Sequence, residues 1–278
     1  MRININTSAA NASRSLGVTT ANLAKNVERL STGLRINKAS DDSAGLVISN
    51  RLRAQVSGLR QAMRNAQDGI SVLQTAEGSL VEVSNMLQRM RDLTVQAANT
   101  GTYDTAARTA AQAEITALRS EIDRVGTATK FGTIALLDGS VSATALTFQV
   151  GSGTDAADRI GVTLLTVTSA ALTLTSIDLA SGTYASITGV LTTLDAAISA
   201  VSNTRSAIGA MQNRFDSLVS NLSVTTENLA ASESRIRDTD MATEMVEFTK
   251  NQVLQQAGTA MLAQATQIPQ SILSLLRG

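Results

Sequence analysis

Residues 191–237 read LTTLDAAISAVSNTRSAIGAMQNRFDSLVSNLSVTTENLAASESRIR, and one line through them decides the fold. Leu194, Val201, Ile208, Phe215, Leu222, Leu229 and Ile236 recur every seven residues without a miss. At 43% hydrophobic content, seven such hits arise by chance in roughly three of a thousand starting frames. The line predicts a helix about 60 Å long, at 1.5 Å per residue, with one apolar seam. The N-terminal half holds a counterpart. Leu52, Val56, Leu59, Met63, Ala66, Ile70 and Leu73 alternate steps of four and three, and Leu80, Val83, Leu87 and Met90 resume after one irregular turn. Two long helices at opposite ends of a chain bury their seams most simply against each other. The expectation is a mainly α protein, a long antiparallel helical coiled-coil rod.

Composition removes most enzyme classes. The chain of 278 residues has no His, no Cys, no Trp, one Pro (Pro269), two Tyr and four Phe. Without His the usual general base and the Ser-His relay are absent. Zinc sites built from Cys and His are excluded, as are thiol chemistry and disulfides. Twenty-three basic residues balance twenty-three acidic ones, which argues against nucleic acid as a main partner. No cofactor is implied. With few aromatics the core must be Leu, Ile, Val, Met and Ala, which suits close-packed helices. After Arg2 the chain reads Ile-Asn-Ile-Asn-Thr-Ser, without the apolar stretch of a cleavable secretory signal. No 18 consecutive apolar residues occur, so no transmembrane helix is expected.

Along the chain, Leu16, Thr20, Leu23, Val27, Leu30 and Leu34 form a first amphipathic seam. Gly33 and the stretch Asn37 to Ser43 interrupt it, so residues 35–43 read as a linker. Ser40, Asp41 and Asp42 suit the start of a helix, where short oxygens accept orphan N–H bonds. A long helix is predicted from about 44 to 98. Gly58, Gly69 and Gly78 lie inside it at a cost of ~1 kcal/mol each relative to Ala. Tolerated defects are one explanation; close approach of a second helix is preferred, because all three fall in a well-kept periodic stretch. Asn99-Thr100-Gly101 reads as a cap and turn. A further helix over about 104–127 carries Ile115, Leu118, Ile122 and Val125 on one face, with Glu114, Arg119, Glu121, Asp123 and Arg124 mostly on solvated faces. Residues 139–189 then change texture, with ten Thr, six Gly and four charges. Thr147–Val150 and Gly161–Leu165 look like short strands around a Gly-Ser-Gly turn, with further strands open in Thr166–Leu179. This is the expected small β-hairpin region in the middle of the chain.

The end of the chain is unusual. No charged side chain lies between Lys250 and Arg277, while Leu254, Ala257, Met261, Ala265, Ile268, Ile272 and Leu275 keep helical spacing. A membrane span is disfavoured by Gln255, Gln256, Gln264, Gln267 and Gln270, each of which would need a partner in hydrocarbon. A lone solvated helix lacks the charges that keep it soluble. Docking on its own domain and burial between subunits both remain, and the second is favoured.

Several motifs carry a family resemblance. Leu30-Ser31-Thr32-Gly33-Leu34-Arg35-Ile36-Asn37, followed by Asp41-Asp42-Ser43-Ala44-Gly45, closely resembles the N-terminal signature of bacterial flagellins. Arg64 through Ile70, Gln74 through Gly78, Leu87 through Leu93 and Glu121 through Val125 look like its continuation. Gln212-Asn213-Arg214-Phe215, Ser234-Arg235-Ile236, Asp240 through Glu244, Leu254 through Thr259 and Gln267-Ile268-Pro269-Gln270 fit the family's C-terminal half. The resemblance covers about 1–140 and 190–278. Phe131-Gly132-Thr133 departs from a more usual Phe-Asn-Gly, and Met241 stands where many members have Tyr.

The resemblance implies a structural subunit that self-assembles into the flagellar filament, the propeller for swimming motility. Such a subunit is exported unfolded, without a cleaved signal, and added at the distal tip. Residues 1–40 and 238–278 would be inner-core terminal helices, with Leu16, Leu23, Val27, Leu30, Leu254, Met261, Ile268, Ile272 and Leu275 at the assembly interface. Residues 41–237 would be the helical rod domain, cored by Leu52, Leu59, Ile70, Leu73, Leu194, Val201, Ile208, Phe215, Leu222 and Leu229, with its β-hairpin region at about 139–189. Partners implied are the chain itself, the filament cap, junction proteins, an export chaperone and the flagellar export apparatus, in an extracellular setting with no nucleic acid and no membrane insertion. Arg89, Leu93 and Glu114 match the patch that a host Toll-like receptor reads in many flagellins, and Leu275-Leu276-Arg277 resembles the segment sensed by cytosolic immune receptors. A hook–filament junction protein, which has similar termini, is the alternative. Some flagellins carry an inserted zinc protease; a chain without His cannot hold its two-His helix motif.

Overall fold

A computed structural model describes residues 6–277 apart from 100, 144, 181 and 182, and no side chains at 143 or 268–277. In chain order the elements are helices α1 (Thr7–Thr32), α2 (Ser43–Ala98) and α3 (Thr105–Ala128), two-residue strands β1 (Lys130–Phe131) and β2 (Ile134–Ala135), and a single turn α4 (Ser140–Ala143). Strands β3 (Leu146–Gln149) and β4 (Arg159–Val162) follow, and then helices α5 (Tyr184–Arg237) and α6 (Met241–Arg277). Helices α2 and α3 begin and end within a residue of where periodicity and capping residues put them, and α5, at 54 residues, is longer than its seven-residue line alone required. Asp42 Oδ1 accepts from the Gly45 N–H at 2.8 Å at the start of α2. Asp104 Oδ1 accepts from the Ala107 N–H at 2.8 Å at the start of α3. Each side chain satisfies an N–H that the helix itself cannot reach.

The chain packs as two units, Ser57–Thr226 and Met1–Val56 with Glu227–Gly278. Within Ser57–Thr226, α2 and α5 run antiparallel. Arg91 pairs with Asp195 at 2.7 Å, and Gln212 donates to Glu77 at 3.1 Å. Leu59, Leu73, Leu80, Leu87 and Met90 of α2 are buried together with Leu194, Val201, Ile208, Phe215 and Leu222 of α5. Ile115 and Ile122 of α3 join the same core. Fully burying such a side chain contributes about 1.5–3 kcal/mol, so the facing apolar lines of α2 and α5 together are a main source of cohesion here. Ile70 is half-buried; so are Leu52 and Leu229 in the other unit. One 18-residue window of α5 has mean hydropathy 1.3, and among the described residues α5 alone is long and apolar enough to cross a membrane. The sequence expectation of no such helix rested on uninterrupted apolar runs, which the Thr and Ser of α5 break up.

The three helix glycines separate. A Cβ on Gly69 would lie 3.1 Å from Phe215 Cζ and 3.4 Å from Phe148, so this glycine does admit a close neighbour on α5. Phe148 and Phe215 meet edge-to-face, with centroids 5.6 Å apart. Gly58 instead faces Ser152 of the β3–β4 connection, and Gly78 faces open space. Helix–helix approach therefore explains Gly69 alone.

Strands β3 and β4 pair antiparallel from Leu146↔Val162 to Gln149↔Arg159, around the expected Gly-Ser-Gly turn. A second small ladder, β1 with β2, turns at Gly132, whose φ of +61° suits glycine. Its two-residue strands are too short for a period-two pattern to announce. Thr166–Leu179 holds no strand. Val167, Leu172, Leu174, Ile177 and Leu179 are buried there along an irregular path that includes a 3₁₀ turn at Leu174–Ser176. Side chains of α3 replace a partner strand. Gln112 donates to Ile177 O at 3.0 Å and accepts from the Leu179 N–H at 2.8 Å. Asp123 accepts from Ser169 N and Oγ at 2.6 and 2.7 Å, and Arg119 donates to Thr175 O at 3.1 Å. Asp123 and Arg119 are thus tethers rather than members of a solvated face. Gly126 lets the Val167 carbonyl lie directly on α3.

Candidate assembly surface

The unit of Met1–Val56 with Glu227–Gly278 is built on α1 and α6. Asn6 opens α1, its Oδ1 accepting from the Ala9 N–H at 3.0 Å. Gly33 ends it at φ 71°, in the left-handed region that glycine enters at no steric cost, with its N–H on Arg29 O at 2.8 Å. The two halves of the chain are then clipped together. Arg35 N donates to Arg237 O at 2.7 Å, Thr239 N donates to Gly33 O at 2.9 Å, and the Arg35 guanidinium reaches Ile236 O at 2.7 Å. Asp240 starts α6 by accepting from Ala242 N at 2.9 Å and Thr243 Oγ1 at 2.9 Å. These bonds, the Thr243 hydroxyl foremost, hold its carboxyl below the usual carboxylate range.

α1 and α6 lie antiparallel. Asn6 Nδ2 donates to Ala265 O at 2.8 Å, Leu16 packs over Gly258, and Arg29 pairs with Glu244 at 3.6 Å. Leu16, Leu23 and Leu30 of α1 and Phe248 and Leu262 of α6 are half-buried between the helices, but the side chains buried outright there are polar. Asn26, Glu244 and Asn251 are buried, and Asn26 Nδ2 and Glu244 Oε1 have no hydrogen-bond partner. Large apolar side chains stand among the polar ones that face outward: on α6, Val246 is 67% exposed, Val253 59%, Leu254 47% and Met261 64%, and on α1, Val18 and Val27 are likewise exposed. Met245, Val246, Thr249, Lys250, Val253 and Leu254 line an open groove of about 530 Å³ on α6. Burying polar groups without partners costs about 1–3 kcal/mol each, and exposed Val and Leu forgo the gain of burial. As a free pair, α1 and α6 leave apolar surface uncovered and buried polar groups unpaired.

The expected interface residues divide accordingly. Leu16, Leu23 and Leu30 are half-buried on the side of α1 that meets α6. Val27, Leu254 and Met261 face solvent. The side chains of Ile268, Ile272 and Leu275 lie outside the described residues. The apolar pattern of α1 put Thr20 and Val27 on the same line as the three leucines. Asn26 and Thr19 occupy that line instead, which an apolar count cannot find. The buried polar trio and its ion pair are what the sequence reading missed, and no period or motif in the sequence signals them.

In the other unit, Arg89 of α2 and Glu114 of α3 are joined by a 2.7 Å ion pair, half-exposed on both sides. Glu114 raises the Arg89 guanidinium above its ordinary value. Leu93, one turn on, is buried beneath them.

Comparison with known proteins places the chain. Residues 3–142 match the bacterial flagellin N-terminal helical region, and residues 191–276 match the bacterial flagellin C-terminal helical region. The chain belongs to the bacterial flagellin family. This flagellin is 44% identical to the flagellin of Bacillus subtilis (strain 168), over the whole of both chains. It is also 44% identical to the flagellar filament 33 kDa core protein of Treponema phagedenis, again over the whole of both. A solved structure described as a flagellar hook-associated protein from Vibrio parahaemolyticus superposes with TM-score 0.58 at 17% identity, covering 71% of this flagellin and all of that chain. At that identity the likeness is one of fold.

Proposed function

We infer that this flagellin is the structural subunit of a bacterial flagellar filament, polymerising with copies of itself outside the cell. The observation that carries the reading is the exposed apolar row of α6, where Val246, Val253, Leu254 and Met261 gain burial only when further chains cover them. Neighbouring subunits supply that cover many times over, which offsets the ~1–2 kcal/mol per residue of ordering the chain ends. Residues 1–40 and 238–278 form the inner core of the filament and 41–237 the surrounding helical domain. The breaks between α1 and α2 and between α5 and α6 support that division. The chain is exported unfolded by the flagellar apparatus with a chaperone, joins at the distal tip beneath a cap, and follows the junction proteins. It is not an enzyme. The Arg89–Glu114 pair with Leu93 forms the patch a Toll-like receptor reads. A junction role is the weaker reading, because the matching relatives are a flagellin and a filament core protein.

Seeded polymerisation of the purified chain, followed by electron microscopy and far-ultraviolet circular dichroism, tests this beside a chain truncated after Lys250. Long filaments with a rise in helicity, absent in the truncation, are expected. Discrete small oligomers from the intact chain would instead favour the junction reading.

A further inference from the structure

The methionines of this flagellin separate by unit. In Ser57–Thr226, Met90 is buried and Met63, Met86 and Met211 are half-buried. On α6, Met241, Met245 and Met261 are 46%, 49% and 64% exposed. Met1 lies outside the described residues. Met245 borders the α6 groove with Val246, Val253 and Leu254, and Met261 follows Leu254 by seven residues, on the same side of the helix.

We propose that Met241, Met245 and Met261 are modification sites, through which peroxides and hypohalous acids stop the unassembled subunit from joining the filament. The proposal rests on the filament-subunit reading. With hydrogen peroxide, a sulfur lone pair attacks one peroxide oxygen, an S–O bond forms and the O–O bond breaks. The departing hydroxide takes up the proton, so the thioether is oxidised by two electrons to a sulfoxide and the peroxide leaves as water. The product replaces an adaptable apolar tip by a strong hydrogen-bond acceptor.

The groove has few donors for that acceptor, the remaining N–H of the Lys250 ammonium being the exception. Thr249 Oγ1 already donates to Met245 O at 2.8 Å, and the Lys250 ammonium pairs with Glu247 at 3.3 Å. Val246, Val253 and Leu254 offer none. A sulfoxide pressed against apolar side chains of a neighbouring subunit is therefore stripped of water with little to replace it, at a cost that makes addition unfavourable. Oxidation acts before incorporation, because the lattice that needs this face also covers it.

The test uses the full chain, hydrogen peroxide and seeds. Peptide mass spectrometry should find Met241, Met245 and Met261 oxidised at least about tenfold faster than Met90. Seeded elongation of the oxidised chain should slow by about tenfold or more, the effect of one unpaired buried acceptor. The M241L/M245L/M261L chain should elongate equally well with and without peroxide, and the single variants M245L and M261L should each recover part of the rate. In preformed filaments Met245 and Met261 should resist oxidation. Oxidised chain that elongates at the untreated rate overturns the proposal, as does equal inhibition of the triple leucine variant. An untreated chain that never forms filaments overturns the subunit reading itself.

Discussion

The two units of this flagellin use the same apolar residue types in opposite ways. In Ser57–Thr226, apolar lines from α2, α3 and α5 converge, and Leu73, Leu80, Leu87, Val201, Ile208 and Phe215 lose nearly all contact with water. In Met1–Val56 with Glu227–Gly278, the buried apolar side chains among the described residues are Ile36 and Val56, while Val18, Val47, Val246, Val253 and Met261 stand in solvent. The first unit spends its apolar surface on itself. The second leaves much of it exposed, open to the other chains of the proposed filament, and buries Asn26, Glu244 and Asn251. Cohesion and assembly are thereby divided between different parts of one chain, and each can be attacked without the other.

The largest expected effect follows from the outward row of α6. Replacing both Val246 and Val253 by Asp would bury two unpaired charges in any subunit contact on that face, each costing several kcal/mol. The critical concentration for polymerisation should rise by about a hundredfold or more. Thermal unfolding of the monomer should barely move, because exposed substitutions usually change stability by only about 0.5 kcal/mol. Normal filament growth by this variant would end the distinction between the units.

Phe215→Ala is the converse experiment. It removes a fully buried ring that touches Phe148 and lies against Gly69, and should cost about 3–5 kcal/mol. Calorimetry should show a large fall in Tm. The α6 face stays intact, so at temperatures where the monomer is folded, seeds should still be extended. A loss of elongation in proportion to the loss of stability would mean that the two units are not separable.

The same contrast explains what the sequence made legible. The seven-residue line of α5 and the four-three steps of α2 located the core because in that unit hydrophobicity and burial coincide. In α1 they do not. Val27 fits the apolar pattern yet faces water, and Asn26 is buried beside it; on the proposed filament reading, that pattern answers to neighbours one protomer does not contain. Irregular structure was hidden for another reason. The path from Val167 to Leu179 is set by Gln112, Arg119 and Asp123 reaching across from α3, and long-range polar tethers leave no period in the residues they hold.

Glycines sharpen the comparison on a smaller scale. Gly69→Ala pushes a methyl to 3.1 Å from Phe215. The helix gains about 1 kcal/mol from losing a glycine, and overpacking a tight core costs about 1–3 kcal/mol, so net destabilisation is expected. Gly78→Ala meets nothing within 4 Å and should stabilise by about 1 kcal/mol. Denaturant titrations of the two variants should move in opposite directions. If Gly78→Ala nonetheless slows elongation, its open space is filled by a neighbouring subunit.

The smallest effect concerns pH, and it separates a linker held by charge from a core held by apolar contact. Lys38 donates to Glu28 Oε2 at 3.0 Å and Asn37 Nδ2 to Glu28 Oε1 at 2.8 Å, while the Asn37 and Lys38 N–H groups donate to Asp41 at 3.3 and 3.0 Å and Lys25 lies 3.5 Å from it. The Lys38 ammonium holds the Glu28 carboxyl below its ordinary range, and the Lys38 backbone N–H does the same for Asp41. Both carboxylates therefore bind protons less readily folded than unfolded. Their contribution is complete above the ordinary carboxylate range and is lost as pH falls through the lowered values. Lys38, raised by Glu28, keeps its charge throughout that window. Hydrogen exchange at the Asn37 and Lys38 amides should accelerate on acidification, before any change at Leu87 or Ile208, which lie in the apolar core. Glu28→Gln and Asp41→Asn should flatten that dependence. Linker and core amides opening together in acid would mean that charge, rather than apolar contact, also holds the core.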